Sequence, residues 1–145
     1  MADEEDLPFD RQVNEQLRGV SRCRSLEIIL GKRQVSPEQF EEMTERKNRY
    51  YQEMLEQMSP ADVLPGALDL LREVRAAGVK VAIASASKNA RTVVEHLNLT
   101  DFMDVLVDGY SVERAKPAPD LFLFSAQQLG VPPAQCVVVE DAAAG

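Results

Sequence analysis

The sequence predicts an α/β fold, a parallel sheet that follows a stretch of helices, on three observations. Apolar runs rich in β-branched residues recur at 79–84, 105–107 and 137–139, each too short for a buried helix. Helical patterns at about 89–97 and 119–129, the second ending at Gly130, separate these runs, and a β-α-β-α-β order implies crossovers and therefore parallel strands. Ahead of them, residues 1 to about 58 carry their apolar side chains at helical spacing.

The helical stretch is punctuated by its own residues. Val13 and Leu17 form a short apolar pair that ends at Gly19. Ser21 can cap a second helix carrying Leu26, Ile29 and Leu30, which Gly31 stops. Ser36-Pro37-Glu38-Gln39 opens a third: Ser36 is the N-cap, Pro37 sits where its missing N–H costs nothing, and Gln39 completes a capping box. Phe40, Met43, Lys47, Tyr50, Met54 and Met58 then follow along one mostly apolar face, read as core packing, until Ser59-Pro60 ends the helix. The prolines of 59–65 mark a linker, which divides a helical domain, 1–60, from an α/β domain, 61–145. In the second domain a helix over 67–77 carries Leu68, Leu71 and Val74 on one face, and Gly78 leads into the first strand.

Composition narrows the function. A net charge of −8 opposes nucleic acid or an anionic membrane as partner, because long-range attraction has the wrong sign. An anionic substrate then needs a local basic pocket. No run reaches the length of a membrane span and Met-Ala-Asp-Glu-Glu-Asp lacks the basic and apolar parts of a signal peptide, so the cytoplasm is the expected location. Cys23 and Cys136 read as two free thiols, and His96, on a helix between apolar neighbours, reads as a packing or surface residue.

The chemistry lies at the strand ends. Ser85, Ser87, Lys88 and Asn89 offer hydroxyls, an ammonium and an amide beyond the first strand, where ligands of open α/β sheets bind; the set suits a phosphate. Lys116-Pro117-Ala118-Pro119-Asp120 follows the second strand, and Glu140-Asp141 follows the third, just ahead of a helix start. A lysine there can neutralise a phosphate, and adjacent carboxylates can hold a hard cation such as Mg²⁺.

In this order the three segments resemble the second, third and fourth motifs of haloacid-dehalogenase-type (HAD) phosphotransferases. Leu17-Arg18-Gly19-Val20-Ser21-Arg22, Arg46-Lys47-Asn48 and Ser59-Pro60-Ala61-Asp62-Val63 bring the resemblance closest to the β-phosphoglucomutase branch. It implies a HAD-like Rossmannoid parallel sheet with an α-helical cap domain. It further implies that Ser85 and Lys116 hold the transferring phosphoryl group, that Ala86 offers its N–H, and that Glu140 and Asp141 hold Mg²⁺. Gly19, Val20 and Arg22 of the cap, with Ser87, Lys88 and Asn89, would bind a sugar phosphate by its remote phosphate. The implied reaction interconverts β-D-glucose 1-phosphate and glucose 6-phosphate through an aspartyl phosphate, in a protein that is a monomer when complete.

Two departures stand against the pattern. Glu53 occupies the place expected for a further lysine on the long cap helix. The family's Asp-x-Asp motif, which supplies nucleophile and acid/base, does not occur in the 145 residues, and Asp108 lacks a second Asp two residues on. The expectation is a fragment, short at both ends, that lacks the first strand between 79–84 and 137–140 and is inactive alone. The competing readings are a HAD-type sugar phosphatase and a non-catalytic fragment.

Overall fold

The computed structural model describes residues 1–114 and 116–142. Six α-helices and two strands are formed among them: α1 (Arg11–Gln16), α2 (Arg22–Leu30), α3 (Pro37–Leu55), α4 (Ala67–Ala76), β1 (Ala82–Ala84), α5 (Ala90–His96), β2 (Val105–Val107) and α6 (Asp120–Leu129). Most of the chain is helical, and β1 and β2 pair in parallel with Ala82 opposite Val105 and Ala84 opposite Val107.

Local signals set the helix ends as the sequence predicts. The Ser21 hydroxyl accepts the Arg24 N–H, and Gly31, at φ 56°, closes α2. At α3 the Ser36 hydroxyl accepts the Gln39 N–H while Ser36 N–H donates to the Gln39 side chain, so both partners of the capping box are in place. Gly130, at φ 66°, ends α6. Leu7, Leu26, Ile29, Leu30 and Met43 form a core between α2 and α3, with Val13, Leu17 and Phe40 packed on it. Arg46 pairs with Glu5 and Tyr50 donates to Glu4, which fastens the N-terminal turn to α3.

Three expectations need correction. The apolar row of α3 does not stay buried: Tyr50 is half-exposed and Met54 exposed, whereas Leu55, outside that row, is buried. The second half of α3 faces α5, where the Leu55 carbonyl meets His96 Nδ1 at 2.7 Å, so its inward face is rotated from that of the first half. The first strand runs over three residues instead of six, with Val79 exposed. Residues 137–139 form no strand, and Val137 and Val139 are 90% and 86% exposed. A strand exists only with a hydrogen-bonded neighbour, and β propensity without pairing or burial does not make one. Between β1 and 136–140 lies a trough of about 480 Å³, lined by Ala82, Ala84, Phe122, Ala126 and Val138 among others. The helix start expected after Asp141 falls on 143–145, outside the described residues. No helix among the described residues is long and apolar enough to cross a membrane.

Candidate anion-binding site

The loop after β1 is held by its own side chains. Ser85 N–H continues the ladder to the Val107 carbonyl at 2.9 Å, Ser85 Oγ accepts the Ser87 N–H, and Ser87 Oγ accepts the Asn89 N–H, both at 3.1 Å. Such short-range bonds are what small polar residues offer at a strand-to-helix turn. The loop after β2 lies directly against it, with Gly109 N–H donating to the Ser87 carbonyl at 3.1 Å. A Cβ on Gly109 would stand 2.6 Å from the Ala86 carbonyl oxygen and 3.1 Å from Lys88 N, so glycine is required here by proximity and not by φ. Gly109→Ala is expected to push the two loops apart at a cost of about 1–2 kcal/mol, the lower part of the overpacking range because both lie at the surface. A urea melt with backbone amide shifts for 85–89 checks this; unchanged shifts there would refute it.

Asn89 Nδ2 donates to Asn48 Oδ1 at 2.9 Å, which ties this loop to α3. At the junction is a cleft of about 140 Å³, with Val20, Arg22, Lys47, Asn48 and Tyr51 on one side and Ser87, Lys88 and Asn89 on the other. Three cations thus face one small space. Among the described residues none of Arg22, Lys47 and Lys88 has a carboxylate within ion-pair distance. Burial, and secondarily the charge of Arg22, pushes the Lys47 ammonium below its usual range. Burial raises the Tyr51 phenol, which keeps it a neutral donor. On a chain of net charge −8, such a concentration of unmatched positive charge is suited to an anion.

Of the residues picked out from sequence, Val20, Arg22, Ser87, Lys88 and Asn89 meet in this cleft, while Gly19, at φ 71°, lies at the turn before it. Ser85 and Ala86 sit at the root of the loop. Lys116 and Glu140 form a separate group: Lys116 is buried, pairs with Glu140, and stands 4.8 Å from the centroid of the Phe122 ring. The Lys116 hydrogen bond chiefly holds the Glu140 carboxyl below its usual range, partly offset by burial. Asp141, largely exposed, meets Arg18 at 3.5 Å. The sequence reading missed Lys47, Asn48 and Tyr51 as cleft residues. The available signals were Lys47 as the single cation in the apolar row of α3 and the Arg46-Lys47-Asn48 segment that carries part of the resemblance; α3 brings Lys47, Asn48 and Tyr51 to the cleft, and not position 53.

Glu140 and Asp141 offer the hard oxygen donors that Mg²⁺ takes, and that ion is commonly held by one or two carboxylates with water and phosphate completing its shell. In donor type the pair fits. Among the described residues no group of three or more His, Cys, Asp or Glu side chains converges, so the pair would be an open site and not a closed cage.

Residues 3–145 match the haloacid dehalogenase-like hydrolases. The chain belongs to that family. It is 39% identical to the β-phosphoglucomutase of Bacillus subtilis, over its whole length and 66% of the relative's. It is 28% identical to a phosphorylated carbohydrates phosphatase of Thermotoga maritima, over 95% of the chain and 63% of that protein. A crystal structure of β-phosphoglucomutase from Clostridium difficile superposes with a TM-score of 0.91 at 38% identity, covering 99% of this chain and 66% of that one. The chain therefore spans just under two thirds of the length of these relatives, and the structural likeness identifies its fold as HAD-like.

Proposed function

We propose that this chain carries the sugar-phosphate-binding part of a β-phosphoglucomutase-like phosphotransferase, which interconverts β-D-glucose 1-phosphate and glucose 6-phosphate through an aspartyl phosphate. The observation that carries the reading is the cleft in which Arg22 and Lys47 meet Ser87, Lys88 and Asn89, with no carboxylate among the described residues within ion-pair distance of its cations. Residues 1–60 act as the cap and 61–145 as the core, and the cleft lies where they meet. The remote phosphate binds there, oriented by charges on both parts, so that the other end of the sugar is directed towards Ser85 and Lys116. Ser85 Oγ and Ala86 N–H bind the transferring phosphoryl group, and Lys116 neutralises it. Glu140 and Asp141 would hold Mg²⁺, which supplies further positive charge to phosphoryl oxygens when bound. No Asp-x-Asp pair occurs in the sequence, so no residue of this chain is assigned as nucleophile. The trough between β1 and 136–140 supports reading the sheet as incomplete, lacking the strand that stands between these segments in the family.

Titration calorimetry of the chain with glucose 6-phosphate tests the cleft. Wild type is expected to bind the ester but not glucose, and Arg22→Ala to lose about tenfold, the lower end for a charge-assisted hydrogen bond because Arg22 is only partly buried. Equal affinity in the two proteins would sink the assignment.

A further inference from the structure

We propose that Tyr110 is a positioning residue for the anion cleft, its ring holding the Lys88 ammonium at the rim; the proposal deepens the function given above and rests on it. Lys88 is the one cleft cation carried by a loop, since Arg22 begins α2 and Lys47 lies within α3. A free lysine side chain samples many rotamers, and ordering it on binding weakens the complex. Here it is already confined. A Cβ on Gly109 would stand 3.1 Å from Lys88 Cγ, and Lys88 Nζ stands 4.7 Å from the centroid of the Tyr110 ring, within cation–π range.

The backbone that carries the ring is fixed by a tight turn. Tyr110 N–H and the Ser111 hydroxyl both donate to Asp108 Oδ1 at 2.9 Å, and Asp108 N–H donates to Ser111 Oγ at 3.1 Å. These bonds also occupy the carboxylate nearest in sequence to Tyr110. An aromatic partner differs from a carboxylate in the respect that matters: it orders the ammonium without cancelling its charge, so Lys88 stays available to an anion. Tyr110 is 72% exposed and belongs to no apolar core, so packing alone does not account for the contact.

The test compares wild type, Tyr110→Leu and Tyr110→Phe in the full 1–145 chain, with glucose 6-phosphate as the probe. Tyr110→Leu is expected to weaken binding about two- to fivefold, the scale of an exposed cation–π contact, at unchanged melting temperature. Tyr110→Phe keeps a ring and is expected to bind like wild type. The Lys88 side-chain methylene protons should be ring-current shifted in wild type and Tyr110→Phe and return to ordinary positions in Tyr110→Leu. Wild-type affinity in Tyr110→Leu, or no ring-current shift in wild type, would overturn the proposal while leaving the cleft intact. Failure of wild type to bind glucose 6-phosphate would overturn the functional reading and this proposal together.

Discussion

Leu26→Ala is expected to destabilise the helical region by about 2–5 kcal/mol, the range for a buried leucine reduced to a methyl group. Leu26 is fully buried, and it is surrounded by Leu7, Ile29, Leu30 and Met43, side chains that come from both α2 and α3 as well as the N-terminal segment. Ile29, Leu30 and Met43 are held by capped helices, so the neighbours can close only part of the cavity. The same substitution at Leu123, on α6 and 50% exposed, removes little buried surface and should stay within about 1 kcal/mol. Urea melts of both variants decide the matter. A Leu26→Ala midpoint no lower than that of Leu123→Ala would mean that the α2–α3 core does not hold this region together.

What could be read from the sequence was what local chemistry decides. Ser21, Ser36 with Gln39, Gly31 and Gly130 each act within a few residues, and each stands where the pattern puts it. The segment 137–139 was illegible for the opposite reason, since three valines have a strand's composition but a strand needs a partner. The cleft divides in the same way. Ser87, Lys88 and Asn89 were accessible from their place after a strand. Asn48 stands in the Arg46-Lys47-Asn48 segment of the resemblance, but its contact with Asn89 joins residues 41 apart and no local pattern points to it, and Lys47 interrupts an apolar row because that row turns towards a polar junction. Gly109 gave no sign either: its value lies in the approach of Ala86 and Lys88, which only the packing of two loops creates.

The Lys116–Glu140 pair leads to the second large effect. Lys116→Ala removes a charge-assisted hydrogen bond from a carboxylate whose side chain is 18% exposed. A fully enclosed partner would be stranded at a cost of about 3–5 kcal/mol, but Glu140 can turn to water, so the loss should lie at about 1.5–3 kcal/mol. Its pH dependence has a definite sign. Lys116 lowers the Glu140 pKa in the folded chain, so the contribution is complete above the unfolded value of about 4.3 and disappears as the pH falls through the folded one. Glu5 and Glu38 are held low too, by Arg46 and by the Ser36 side chain respectively, so both proteins weaken in acid. The difference between wild type and Lys116→Ala isolates Glu140. It should be full at about pH 7 and smaller at about pH 3 in paired urea melts, while carboxyl NMR shows Glu140 titrating higher in the variant. A gap that stays undiminished in acid would mean that Lys116 stabilises the fold through its aliphatic stem and the Phe122 ring instead, since that contact does not depend on a carboxylate.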